Sequence, residues 1–212
     1  MKTFLRRSGN RPYKRLVVVS TEGFVTEPEY FRQLEAFLDG DAMHLEVVSD
    51  PYSSDPSHVL RRAKDAIRRL GLTEGDDAWC VVDKDRWSRE QLQEIHDWAA
   101  DNAAKETRGF VVSTPKFELW LLLHVEEVTG QLSSAQVTER IRPYLHDRKH
   151  IPTGFVTVER VHAAISRAEA LVPPYYEPWP NKTGTTVFRL VKRLMRDQSY
   201  QDDRPSRKDI QK

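Results

Sequence analysis

The sequence predicts an α/β protein: a mostly parallel sheet flanked by helices, leading into a helical C-terminal half. Two observations predict it. Through the first half, short β-rich apolar runs alternate with stretches of helical period, the pattern of βαβ units with right-handed crossovers. Two of those runs, Leu16-Val17-Val18-Val19-Ser20 and Ala78-Trp79-Cys80-Val81-Val82, stop abruptly at carboxylates, Glu22-Gly23 and Asp83-Lys84-Asp85. Ligands of open parallel sheets bind outside the carboxyl ends of the strands.

The elements follow in order. After the first strand (16–20), Thr26-Glu27-Pro28-Glu29 reads as a capping box, with Thr26 as N-cap and Glu29 reaching back. The helix it opens carries Tyr30, Phe31, Leu34, Phe37 and Leu38 as its apolar residues. A second strand (44–48) follows a Gly/Asp turn, and the Pro/Ser/Asp-rich loop 51–56 leads into a helix ending near Leu70. A third strand (79–82), a third helix (88–104) and a fourth strand (110–112) complete the alternation. Ser113-Thr114-Pro115 reads as a helix start, with proline early, where its missing donor costs nothing. The residues 117–125 are apolar nearly all round, which indicates a buried helix. Further helices are expected over 134–145, 158–171 and 186–195, with a Pro-rich loop at 173–180 bearing Tyr175, Tyr176 and Trp179. The chain therefore divides into a basic, flexible arm (1–15), an α/β core (16–128), a helical extension packed on it (129–197) and a flexible polar tail (198–212).

Composition excludes more than it assigns. The 212 residues carry 33 Lys+Arg against 32 Asp+Glu, so net charge singles out no partner, although the arm holds Lys2, Arg6, Arg7, Arg11, Lys14 and Arg15 without an acid. The single cysteine, Cys80, sits in a core strand and rules out a disulfide framework. No apolar stretch follows Arg6-Arg7 to make an export signal, and the longest apolar run, 119–125, contains His124 and is too short for a membrane span. The expected compartment is cytoplasmic, with no membrane partner.

The acids carry the chemistry. Side chains alternate along a strand, so Asp83 and Asp85 point one way and Lys84 the other. If the two acid-tipped strands are neighbours, Glu22, Asp83 and Asp85 converge, and their repulsion calls for a hard cation such as Mg²⁺ or Mn²⁺. Each has a structural alternative: Glu22 as an exposed turn acid, Asp83 and Asp85 as turn and helix caps. The helix dipole alone explains Glu29, and Glu27 stands between that explanation and a place at the site. Glu118 opens an otherwise apolar helix and needs a metal, a lysine or a backbone cap as partner. His124 reads as a hydrogen-bonded core histidine. Arg61, Lys64 and Arg68 line one side of the second helix, opposite Val59, Ala63, Ile67 and Leu70, and Arg189, Lys192, Arg193 and Arg196 form a second basic face. Such faces are solvated surfaces or bind phosphates.

The residues taken together resemble a known family. Val17-Val18-Val19-x-x-Glu22-Gly23-x-x-Thr26-Glu27-x-x-Tyr30-Phe31, then Val82-Asp83-x-Asp85, then Ser113-x-Pro115-x-Phe117-Glu118-Leu119-Trp120-Leu121-Leu122-Leu123-His124 are similar to RloB-like proteins. Lys149 and the stretch 181–191, with Thr185-Thr186-Val187 at its centre, are similar too. RloB-like proteins look like members of the Toprim superfamily, near the nuclease domains of OLD-type proteins. The resemblance implies a Toprim-like (Rossmann-like) core and a divalent-metal site, with Glu22 matching the Toprim glutamate and Asp83 and Asp85 the aspartate pair. It also implies restriction or phage-defence loci and a neighbouring ATPase. This chain has no Gly-x-x-x-x-Gly-Lys, so an ATPase activity would belong to a partner protein. Where the family pattern has Tyr-x-Lys, this chain has Asp147-Arg148-Lys149.

The expectation is a Mg²⁺- or Mn²⁺-dependent nuclease acting on DNA, RNA or tRNA. Glu22, Asp83, Asp85 and Glu118 would hold the metal, and Lys149, or alternatively Lys182, would neutralise charge on the phosphate. Glu27 would orient a ligand or a water, and Arg61, Lys64 and Arg68 would bind nucleic acid. The alternative is a catalytically silent Toprim-like adaptor that binds nucleic acid or nucleotide and works with an ATPase. A third reading, nucleotidyl transfer as in Toprim primases, has no sequence element for nucleotide selection.

Overall fold

Strand and helix alternate through the first half of the chain: β1 (Arg15–Thr21), α1 (Thr26–Glu35), β2 (Met43–Val48), α2 (Pro56–Leu70), β3 (Asp77–Asp83), α3 (Arg89–Ala99) and β4 (Thr107–Thr114). Then follow α4 (Glu118–Val125), α5 (Ser134–Ile141), α6 (Val158–Leu171), β5 (Gly184–Thr185) and α7 (Val187–Ser199). This computed structural model describes residues 14–38, 40–52, 55–84, 87–147, 149–172 and 178–199.

One sheet orders the strands β2-β1-β3-β4-β5; β1 to β4 are parallel, and β5 runs antiparallel to β4. The α/β class is therefore as the alternation predicts. Alternate residues of each strand feed two cores. Val18, Ala78, Cys80, Val82 and Val112 face α2 and α3. Val17, Val19, Trp79, Val81 and Val111 face the larger core, which takes in the apolar residues of α1, α4, α5, α6 and α7. Leu119, Trp120, Leu121, Leu122 and Leu123 are all buried there, so the all-round apolar helix lies inside, as its pattern requires.

Several boundaries differ from the expectation for local reasons. The strand β4 runs to Thr114 because Ser113 and Thr114 pair with Thr185 and Gly184 of β5, a short strand the sequence reading missed. The helix α4 accordingly starts at Glu118 and not at Pro115. The helix α3 ends at Ala99, where Asp101 turns the chain by accepting from the Ala103 N–H at 3.0 Å. Helix α5 stops at Ile141 and passes into a single 3₁₀ turn, Arg142–Tyr144. At the N-terminus, β1 already begins at Arg15, whose guanidinium pairs with the fully buried Asp77. The rest of the basic arm up to residue 13, the two loop tyrosines and the tail from residue 200 lie outside the described residues.

A candidate active-site cleft at the carboxyl ends of β1 and β3

From the interior strand β1 the chain crosses to β2 on one side, while β3 pairs with its other edge. That reversal leaves a crevice beyond the strands' carboxyl ends, the usual place for a ligand in such sheets. Here it is a cleft of about 310 Å³ lined by Glu22, Gly23, Glu27, Asp83, Glu118, Lys116 and Lys149, among others.

Each acid is placed by the element that carries it. The Glu22 N–H continues the β1–β3 ladder by donating to Val81 O at 3.1 Å, and its Oε2 accepts from the Asp83 N–H and the Trp87 indole N–H, both at 3.0 Å. The two acid-tipped strands are thus neighbours, and a hydrogen bond ties the Glu22 carboxylate to the backbone of Asp83. Asp85 lies outside the described residues. Glu118 begins α4, where the positive end of the helix favours an anion, and its Oε2 stands 4.0 Å from Lys116 Nζ. Lys116 Nζ also donates to Thr138 Oγ1.

Glu27 is more central than the sequence suggests. It is 6% exposed, in the first turn of α1, and its Oε1 accepts from the Gly23 N–H at 2.9 Å. Burial, with repulsion from Glu118 and Glu22, pushes its carboxyl up to about 7. This approach also explains Gly23: a Cβ there would stand 2.0 Å from Glu27 Oε2. An aromatic knot fixes Glu27 relative to Glu118, because Tyr30 of α1 meets Phe117, Trp120 and His124 edge-on at 5.7, 6.1 and 5.4 Å. His124 itself is a core histidine as expected: Nδ1 lies 2.9 Å from Trp120 O, and burial lowers its pKa to about 4.

The expected capping box does not form. The N-cap position is Val25, without a side-chain cap, and both polar side chains serve the distant 146–156 loop instead. Thr26 Oγ1 donates to Lys149 O at 3.0 Å. Glu29 accepts from the Ile151 N–H at 2.8 Å and pairs with His150 Nδ1 at 2.7 Å. Partial burial would raise the Glu29 carboxyl, yet these hydrogen bonds hold it below the ordinary range. One turn on, Gln33 Nε2 donates to Ile151 O and Pro152 O at 3.2 and 3.1 Å, and Gln33 Oε1 accepts from the Val156 N–H at 3.3 Å. This clamp brings Lys149 to the cleft wall, with Nζ 5.7 Å from the centre of the Phe24 ring. Lys182 is exposed and does not line the cleft.

The three predicted nucleic-acid contacts sit apart from the acids. Arg61, Lys64 and Arg68 lie on α2, on the opposite face of the sheet from α1 and α4, and Arg68 pairs with Asp65. Arg62 of the same helix reaches Thr21 O at 2.8 Å, one residue before Glu22. On the second basic face, Arg193 bonds Asp77 at 3.2 Å and Lys192 bonds Glu169 at 2.7 Å.

The sequence reading did not single out the cleft residues Lys116 and Phe24, nor Trp87, which bonds the cleft acid Glu22. All three lie in irregular segments, where no periodicity marks a side chain's direction. The donor chemistry of the cleft, carboxylate oxygens without cysteine or histidine, suits a hard divalent ion. Among the described residues, no three His, Cys, Asp or Glu side chains are grouped to hold one ion. That arrangement still suits Mg²⁺, which keeps several waters and takes only one or two protein carboxylates.

A family model described as RloB-like protein matches residues 17–194. No curated protein and no solved structure matches the chain. No helix among the described residues is long and apolar enough to cross a membrane.

Proposed function

The chain belongs to the RloB-like protein family, and we propose that it is a Mg²⁺- or Mn²⁺-dependent nuclease acting in a restriction-associated or phage-defence setting beside an ATPase partner. One observation carries the reading: four acids, at the ends of β1 and β3 and in the first turns of α1 and α4, line one cleft with two lysines on its walls. The contrast with the other end of the sheet supports it. There, buried Asp76 is bonded by the Leu16 and Thr73 N–H groups, and buried Asp77 by Arg15 and Arg193, so those acids are consumed by the fold. At the carboxyl ends, burial together with the nearby Glu118 and Glu22 raises the Glu27 carboxyl to about 7, a perturbation of the kind found at working sites.

Of the acids expected to hold metal, Glu22 and Asp83, which a hydrogen bond joins, would take the ion directly; Glu118 would meet it through the waters the ion keeps, and Asp85 lies beyond the described residues. A bound divalent ion supplies Lewis acidity at the phosphate and lowers the pKa of water. Trp87 and the Asp83 N–H orient the Glu22 carboxylate. Glu27 holds the Gly23 turn and faces the other acids. Lys149, with Lys116 of the same lining, offsets charge developing on the phosphate. The Toprim affiliation, cytoplasmic location and choice among DNA, RNA and tRNA belong to this reading as proposals.

The test is incubation with mixed tRNA and DNA in Mg²⁺ or Mn²⁺, with and without the product of the neighbouring gene. Metal-dependent cleavage is the expected outcome. Binding without cleavage under every condition would assign the chain to the adaptor class.

A further inference from the structure

Singly exposed apolar residues are common on protein surfaces and usually need no explanation. Phe24 is different because of where it stands. Its ring belongs to neither core, is 47% exposed, and lines the same cleft as Glu22, Glu27, Asp83 and Glu118. The Lys149 ammonium lies over it at 5.7 Å, so a cation and an aromatic face are presented together beside the acids. Pro51 forms part of the same lining, and the next residue, Tyr52, is 94% exposed.

We propose that Phe24 is a stacking platform for an unpaired nucleobase adjoining the phosphate held between the acids and Lys149. The substrate is then a single strand, or a structured nucleic acid with an unpaired nucleotide at the cut. This rests on the nuclease reading and specifies its substrate class. The chemistry is complementary: a nucleotide offers a flat π-face and an anion side by side, and the cleft offers a ring and an ammonium side by side. Bases inside a duplex have both faces covered by neighbours and cannot reach the ring, whereas single strands are commonly held by aromatic stacking with cationic phosphate contacts. An exposed cation–π contact is weak beside base stacking, so Lys149 can turn to the phosphate and leave the ring to the base.

The experiment uses the full chain carrying Asp83→Asn, which blocks cleavage, with fluorescent mixed-sequence RNA and DNA as single strands and as duplexes, in Mg²⁺. Added to that parent, Phe24→Ala weakens single-strand binding by between about fivefold and about a hundredfold. Phe24→Trp restores it, and duplex binding changes far less. Because Phe24 lies outside both cores, the variants keep the parent's melting temperature; Phe24→Leu, which keeps apolar bulk without a stacking face, behaves as Phe24→Ala. Undiminished single-strand binding by Phe24→Ala, or an equal loss on duplexes, overturns the stacking role alone. A parent that binds no probe, together with a wild-type chain that cuts none, removes the nuclease reading and the platform with it.

Discussion

Glu27 shows how a single residue divides its loyalty between fold and site. Its carboxyl, raised by burial and neighbouring acids to about 7 from the ordinary 4.5, binds its proton more tightly in the native state than in the unfolded chain. Stability from the protonated form is complete below pH 4.5 and is lost as pH rises through 7. Glu27→Gln keeps an oxygen for the Gly23 N–H and removes the charge. Without metal, it should therefore melt above the wild type at pH 8 and show little difference at pH 5, as thermal melts at the two pH values will reveal. A variant destabilised at pH 8 would mean that the carboxylate is held by partners stronger than its repulsion. Lys149 divides differently, since its side chain meets the ring of Phe24 and faces the cleft. Lys149→Met should lower turnover by at least about tenfold with KM little changed, the pattern of an interaction made mainly in the transition state. Steady-state kinetics that leave turnover at the wild-type value would take this lysine out of the chemistry.

At the scale of elements, α1 joins one wall of the cleft to a loop more than a hundred residues away in sequence. Glu29→Ala removes both oxygens that hold His150 and Ile151, and should cost on the order of 1–3 kcal/mol. Amide hydrogen exchange should locate that loss at Ile151 and its neighbours and not at the start of α1, where the capping-box reading would have placed it. The helix α2 provides the other elemental test. Replacing Arg61, Lys64 and Arg68 with glutamates should weaken nucleic-acid binding and reduce the salt slope by roughly 1–3 logarithmic units, because each phosphate contact releases counterions. An unchanged slope would leave that face to solvent. These two helices also show what the sequence could disclose. The amphipathic period of α2 was legible locally. Thr26-x-x-Glu29 has the spacing of a capping box, but its partners come from a loop that no local pattern connects to it.

Across the whole molecule, the sheet made most of the site readable. Apolar runs ending in acids predicted parallel strands with carboxylates at one edge, and the β1–β3 pairing brings Glu22 beside Asp83 as that reading required. The short strand β5 was missed because two residues are too few for a periodic signal, and its pairing with Ser113 and Thr114 moved the start of α4. Lys116 was missed for the same reason: it lies in the irregular turn that this pairing creates. The acids of the cleft come from β1, α1, β3 and α4, so an ion that neutralises them ties these elements together and should stabilise the native state by linkage. The most direct test of the account is one Mn²⁺ titration read two ways, as melting temperature and as cleavage rate, on the wild type and on Asp83→Asn. Both readings should rise over the same Mn²⁺ range in the wild type, and Asp83→Asn should stay folded in the absence of metal but lose both responses. Stabilisation without cleavage of any nucleic acid, or cleavage that survives Asp83→Asn, would contradict it.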